Sequence, residues 1–419
     1  MTARPQGLPS YAIFAAVLAA AGLPIYIHAP KYFVDEYGVS LAALGAVLFG
    51  LRLLDVVQDP VLGWLSRKLE PVRGAAVLVV GGVMALAMVG LFAIAPPVPP
   101  LLWFAITLAL LFSAFSFLTI TFYAQGVQKA DDLGADGHVR LATWRETGSL
   151  LGISAAAVLP ILLLSTSDSP FALFAGLFAG AVALALIAMR SEWQDGVATS
   201  ETSIAPILRD PLARRLLLIA LLNATPVAVT STLFLFFVES RLGAPGWEGP
   251  LLLLFFLSAA ASAPIWGRIA SIIGAKPALM AGMALAIISF GGAAFLGTGD
   301  AMAFAVICIA SGAALGADMT LLPAIFARRL ATIAPAAAEG FGLWSFVTKF
   351  TLAFAAITLL PVLEVAGFPS GTNPAPISAL TTLTLMYAVL PCALKLVALT
   401  LLALTPLETP TARPALQEA

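Results

Sequence analysis

Twelve mostly apolar segments, each of about 18 residues or more, follow one another along this 419-residue chain. They lie near 9–34, 41–64, 75–95, 100–126, 141–164, 171–189, 213–238, 249–271, 277–296, 302–326, 341–362 and 379–404. In hydrocarbon every backbone N–H and C=O must be satisfied within the protein, so only helices and closed barrels can span it. Barrel strands are short and alternate apolar with polar residues, and these segments do neither. The expectation is an all-α polytopic membrane protein with 12 transmembrane helices and the lipid bilayer as its solvent. Composition agrees: 61% of residues are hydrophobic and 10% are charged, against about 25% charged in soluble domains. A net charge of −1 gives no reason to expect a nucleic-acid partner. Cys308 and Cys392 both fall inside apolar segments and read as small buried residues. The opening MTARPQGLPS leads into a full-length span and reads as its approach, not as a cleaved signal.

Basic residues cluster on alternate loops. With the N-terminus on the inner side, the inner loops and tails hold 15 of the 21 Lys and Arg, and the outer loops hold Lys31 and Arg241 alone. By the positive-inside rule both termini are expected to be cytoplasmic. The longest polar inner loop, near 190–212, separates six spans from six. The expected organisation is an N-terminal six-helix half at 1–190, a cytoplasmic central loop at 191–212, a C-terminal half at 213–404 and a cytoplasmic tail at 405–419. The halves echo each other: Pro60 and Pro264, and likewise Gly63 and Gly267, are 204 residues apart. Two repeated halves rocking about a central site is an alternating-access design.

Charges inside spans are costly, at least about 2.5–3.5 kcal/mol each near the bilayer centre, so each asks for a partner or a role. In LRLLDVVQDPVLGWLSRKL, Arg52, Asp55 and Asp59 lie at i, i+3 and i+7, on one helix face. They read as a cation site, with an ion-pair network locking helices as the bland reading. Gln58 is expected on another part of the helix surface. Lys349, eight residues into the eleventh span, reads as their internal counter-charge or as a permanent salt bridge. Arg145 is expected to gate the inner side or to contact substrate, and Glu146 to pair with Arg140 or Lys129. Asp318 is a further site candidate, against a plain helix–helix hydrogen bond; Lys395 reads as structural. Pro24 and Pro30 should break or kink the first span. Tyr26, Tyr123, Trp344 and the phenylalanines 234, 236 and 237 are aromatic candidates near a central cavity, and most such residues pack core or face lipid. Gly340 and Gly342 beside Trp344 allow close helix approach.

RLLDVVQDPVLGWLSRK resembles the second helix of the glycoside–pentoside–hexuronide:cation symporters, the melibiose-carrier branch of the major facilitator superfamily. GFGLWSFVTKFTLAF resembles the eleventh helix of that family, and WRETGSLLG the start of its fifth. The resemblance implies that Asp55 and Asp59 bind a coupling Na⁺ or H⁺, that Lys349 interacts with them, and that Arg145 is the family's fifth-helix Arg. Sugar carriers of that family have acids on helices 1 and 4. Here the first span from Tyr11 to Pro30 and the fourth span have none, and Thr119 or Thr121 stands near the latter position. That departure argues against a sugar and favours H⁺ over Na⁺. GLPIYIHAPKYFVDEYGVSLAALG and GADMTLLPAIFA resemble a closer bacterial branch that holds CcoA-like copper importers and riboflavin transporters. Its copper members bear Met and His pairs on helices 7 and 8, soft ligands suited to Cu(I). Spans seven and eight have no Met, His or Cys here, and Met84 and Met88 sit on the third span, where they read as packing or lipid-facing.

The sequence therefore leads to a secondary active transporter in a bacterial inner membrane. It is expected to import a small organic solute, riboflavin or a similar metabolite, driven by H⁺ or Na⁺. A Cu(I) importer and a sugar symporter are alternatives, as is a non-transporting receptor or scaffold from another class. No metal-ligand cluster, nucleophile–base pair or phosphate loop is legible, so no enzyme, resident metal or cofactor is expected. The unit is expected to function as a monomer.

Overall fold

The computed structural model describes residues 7–134, 136–163, 167, 169–193, 204–333, 338–367 and 376–407. The side chains of Arg52 and Tyr26, most of the central loop and the tail beyond residue 407 lie outside the described residues. Among the described residues, fifteen α-helices run as α1 (Leu8–Ala20), α2 (Leu23–Tyr37), α3 (Leu41–Lys68), α4 (Arg73–Phe92), α5 (Pro100–Asp132), α6 (Gly137–Leu163), α7 (Pro170–Met189) and α8 (Ile204–Arg209). They continue as α9 (Pro211–Phe236), α10 (Glu248–Ile273), α11 (Ala275–Gly291), α12 (Ala301–Ile333), α13 (Ala338–Val365), α14 (Ile377–Thr384) and α15 (Leu390–Ala403). With α1 joined to α2 and α14 to α15, and the six-residue α8 left aside, they make the twelve spans expected from the hydrophobic pattern. Eight continuous helical stretches among the described residues are individually long and apolar enough to cross a membrane.

Local chemistry sets the boundaries. Ser40 caps α3 by accepting from the Ala43 N–H at 3.3 Å, and Asp210 caps α9 by accepting from Ala213 N–H at 2.7 Å. Proline stands in the first turn of α5, α7 and α9, where its missing N–H costs nothing. The first span is broken at Ala21–Gly22, between α1 and α2. Pro24 carries no N–H to continue the ladder of α1. Pro30 sits inside α2 without ending it. The seventh and twelfth spans each contain a five-residue π-turn, Phe237–Arg241 and Leu385–Val389, and the rings of Phe237 and Tyr387 stack between them with centroids 4.1 Å apart.

The helices before residue 190 and those after 210 meet along two seams, α3 against α13 and α6 against α10. Both seams carry a glycine of the 204-residue repeat. A Cβ on Gly63 would stand 3.0 Å from Ala338 O and 3.3 Å from the Cα of Gly342; one on Gly267 would run into the Thr143 side chain. These close approaches lie at the end of the molecule that carries Arg67, Arg73, Lys129, Arg328 and Arg329, the basic face. There an apolar cluster joins Ile120, Ala124 and Val127 of α5 to Phe326 and Phe341 of the second half, and Arg67 of α3 pairs with Glu339 of α13. Gly45 lies 18 residues before Gly63 on α3, five helical turns away on the same helix face. Among the described residues, nothing lies within 4 Å of a Cβ built on Gly45, in contrast to the close approach at Gly63.

At the basic face, Asp210 ties the start of α9 to the end of α12. Its two carboxylate oxygens accept from Arg329 Nε at 3.0 Å and Nη2 at 2.5 Å. Those hydrogen bonds, partly opposed by burial, hold the Asp210 carboxyl below its usual 3.8. A depressed carboxylate contributes stability that is present above the unfolded value and disappears as pH falls through the folded one. Thermal unfolding followed from pH ~6 down to pH ~2 is expected to show a smaller acid loss in Asp210→Asn than in the parent. Asn keeps the helix cap and loses the titration. Superimposable acid limbs would remove this pair from the account.

Candidate functional site: an ion pair across the seam

Asp59 projects from α3 and Lys349 from α13, so their contact bridges the two halves. The ammonium of Lys349 stands 3.2 Å from Asp59 Oδ1 and 3.0 Å from Oδ2, and 3.8 Å from Asp55 Oδ1. Two hydroxyls complete the cluster. Ser345 Oγ donates to Asp59 Oδ2 at 2.5 Å, and Lys349 Nζ donates to Ser116 Oγ of α5 at 2.6 Å. Asp59 is fully buried and Asp55 is 4% exposed. A buried ion pair is retained only when further hydrogen bonds satisfy its remaining lone pairs and protons, and the two serines do so here. Ser345 precedes Lys349 by one helical turn and so shares its face.

The sequence reading of Gln58 needs correction. Its amide donates to Asp55 Oδ1 at 2.9 Å, and its carbonyl accepts from Ser113 Oγ of α5 at 2.9 Å. Gln58 is three residues from Asp55, a spacing that brings side chains together on a helix; the earlier placement underrated that neighbourhood. Thr121 bonds to Ser66 Oγ at 2.7 Å and to its own helix at Phe117 O. The buried Thr119 hydroxyl has no hydrogen-bond partner among the described residues.

A second polar cluster lies near the basic face. The Arg145 guanidinium lies 3.6 Å from the ring centroid of Tyr123, a cation–π contact. Arg145 Nε and the Tyr123 hydroxyl both donate to Glu146 Oε1, at 2.8 and 2.7 Å. Glu146 therefore pairs with its chain neighbour and Tyr123, not with Arg140 or Lys129 as expected. The arrangement is buried, and Tyr123 reaches across to Phe341, ring centroids 5.1 Å apart. Trp344 packs on Phe326 at 5.0 Å within the cluster that seals this end.

Asp318 is ion-paired with Lys395 of α15, and both are buried. The bland reading of a helix–helix hydrogen bond thus becomes a charged pair between α12 and α15. Phe234 and Phe237 are buried core residues, packed with Phe304 and Tyr387, and do not act as free cavity aromatics. Met84 and Met88 are buried too, in the apolar core of the first half. Ser113, Ser116 and Ser345 were not singled out from sequence. A serine in a span is common, and nothing local tells one facing an ion pair from one bonded to its own backbone.

A comparison with solved structures places the chain close to a crystal structure described as a bacterial homologue of the iron transporter ferroportin in the outward-facing state. The TM-score is 0.66 at 13% identity, over 94% of this chain and 98% of the other. At that identity the likeness shows the fold. A comparison with curated proteins finds no significant match. The family model described as MFS/sugar transport protein matches residues 8–409. With two six-helix halves meeting at two seams and a matched family spanning nearly its whole length, the chain belongs to the MFS/sugar transport protein family of the major facilitator superfamily, a multi-pass membrane transporter.

Proposed function

We propose that this transporter couples entry of a small organic solute to a cation, H⁺ in preference to Na⁺, through Asp59 and Lys349. The single observation that carries the reading is the buried Asp59–Lys349 contact across the α3–α13 seam. In the resting arrangement the ammonium neutralises the carboxylate and helps hold the seam. A proton on Asp59 takes over that role and releases Lys349 toward Asp55, with Ser116 keeping its hydrogen bond. Without the pair, the α3–α13 seam loses a lock, and the halves can rock. Asp55 and Gln58 lie beside Asp59 on α3 and pass the cation between Asp59 and the end of the molecule away from the basic face. Arg52, whose side chain is outside the described residues, belongs to the same proposed set by its place in the sequence.

The basic face is assigned to the cytoplasm on the Lys and Arg asymmetry of the loops, and the direction is proposed to be inward. Tyr26, Tyr123, Arg145, Asp318, Trp344 and Thr119 remain the proposed solute contacts; of these, the unpartnered Thr119 hydroxyl has hydrogen-bonding capacity to spare. The solute is proposed to be an uncharged, hydrogen-bonding ring compound, with riboflavin as the first to try, moved by a monomer in a bacterial inner membrane. The test is uptake of labelled riboflavin by a riboflavin-requiring bacterium expressing the chain, with and without a proton uncoupler. Saturable uptake that the uncoupler abolishes supports both solute and drive. Uptake indifferent to the uncoupler and to Na⁺ would overturn the coupling, and no uptake from inserted protein would overturn riboflavin.

A further inference from the structure

Three arginines gather at the foot of α9, where the second half begins. Arg209 ends α8, Arg214 and Arg215 stand in the opening turns of α9, and all three are exposed. Among the described residues no carboxylate pairs with any of them. The neighbouring acid, Asp210, is already spent: both its oxygens accept from Arg329, and one also accepts from Ala213 N–H. Like charges collected this closely repel one another. The same two arginines head an exposed stripe of α9. Ala213, Leu216, Leu217, Ile219 and Ala220 are buried in the apolar cluster, whereas Leu218 is 45% exposed. Leu218 follows Arg214 by four residues and Arg215 by three, so the three side chains share one side of the helix. Leu208, the residue before Arg209, is 48% exposed.

The fold does not require this patch. At the repeat distance of 204 residues, Arg214, Arg215 and Leu218 correspond to Ser10, Tyr11 and Phe14 of α1. Tyr11 and Phe14 are buried, and Phe14 meets the ring of Trp193, in the chain that follows α7, with centroids 5.3 Å apart. The foot of α1 is therefore covered, and the matching place on α9 is uncovered among the described residues. Chemistry selects what fits there. A leucine exposed on a membrane-spanning helix meets acyl chains, and arginines one turn nearer the basic face, about 5 Å away along the helix, reach the headgroup layer. A guanidinium presents a planar fork that matches phosphate oxygens two at a time. A zwitterionic headgroup brings its own cation and leaves the repulsion among the arginines in place. An anionic phosphodiester lowers it.

We propose that the foot of α9 is a binding site for an anionic phospholipid of the cytoplasmic leaflet. Arg214 and Arg215 hold the phosphodiester, Arg209 adds charge beside them, and an acyl chain lies along Leu218. The bound lipid braces the corner at which Asp210 ties α9 to α12. Neither the solute nor the coupling ion enters this site, so lipid binding tests it independently of uptake.

The probes are phosphatidylglycerol and phosphatidylcholine with the same acyl chains, added in detergent to the full chain stripped of native lipid. Thermal unfolding is followed against the amount of each. Phosphatidylglycerol is expected to raise the midpoint saturably, as a ligand of the folded state does, and phosphatidylcholine to raise it less. Arg214→Gln/Arg215→Gln should weaken the apparent affinity for phosphatidylglycerol about tenfold or more and leave the response to phosphatidylcholine unchanged. Arg190→Gln/Arg268→Gln removes the same charge from exposed positions on other helix ends and should keep the affinity of the parent. All four arginines are exposed, so each pair of substitutions is expected to fold. Equal responses to the two lipids, an unchanged phosphatidylglycerol affinity in Arg214→Gln/Arg215→Gln, or the same loss in Arg190→Gln/Arg268→Gln would overturn the proposal. A phosphatidylglycerol response that appears only after residues 408–419 are removed would also overturn it, and would assign the patch to the chain's own tail, which carries Glu408 and Glu418.

Discussion

Asp59→Asn is expected to abolish gradient-driven accumulation and to lower stability in the same protein. The substitution leaves the Lys349 ammonium in the membrane interior with Ser116 and the more distant Asp55 as its remaining partners. Removing one member of a buried pair costs about 3–5 kcal/mol, because the other charge stays behind. Expressed as coupling, that is about hundredfold or more in the equilibrium the pair controls. The double variant Asp59→Asn/Lys349→Met separates the two effects. It removes both charges, so the unfolding midpoint should return most of the way to that of the parent, while accumulation stays lost. Accumulation ratios with and without uncoupler, together with thermal unfolding of the same preparations, decide it. Retention of accumulation in Asp59→Asn would reject the coupling role, and a double variant no more stable than the single one would reject the charge argument.

Gly148→Ala and Gly152→Ala should each destabilise the first half, although alanine is the better helix former. Both glycines lie on α6 where it crosses α1, and a Cβ at either position would overlap the backbone of Ala12 or Ala16. Backbone cannot move aside as a flexible side-chain end can, so the cost falls at or above the top of the overpacking range, about 3 kcal/mol. Gly82→Ala on α4 and Gly176→Ala on α7 are the controls, since nothing lies within 4 Å of a Cβ at either place. There the intrinsic preference for alanine, about 1 kcal/mol, should show as neutral or stabilising. The opposite signs are the point of the comparison. If all four variants shift the unfolding midpoint alike, close backbone packing is not what holds α1 to α6.

The glycine result and the ion-pair result divide the molecule differently with respect to sequence. The spans were legible because apolar length is a local property: α3 and α9 appear within four residues of the segments read from the sequence, while α5 and α12 run six and seven residues past theirs at the basic face. The helix face carrying Asp55 and Asp59 was equally legible, since i, i+4 spacing fixes which side chains share a side. Partners on other helices were not legible. Glu146 had nearer-looking basic candidates in Arg140 and Lys129, and its bond to Tyr123 depends on how α5 and α6 cross. Lys395 looked peripheral, and only the packing of α15 against the rest of its half brings it to Asp318.

The sequence by itself thus determined twelve helices and which few charges would need an answer inside the membrane. Those follow from hydrocarbon solvation, which acts on each segment separately. The tertiary structure decided which charge answers which: Lys349 with Asp59 across the seam, Lys395 with Asp318 within one half, Arg145 with its neighbour Glu146. It also decided that Gly63 packs against α13 at the basic end, while nothing among the described residues lies within 4 Å of a Cβ on Gly45. The reason is physical. A charge in low dielectric must find a partner, but for Lys349 and Lys395 that partner is set by helix crossings between residues 290 and 77 positions apart, which no local pattern encodes.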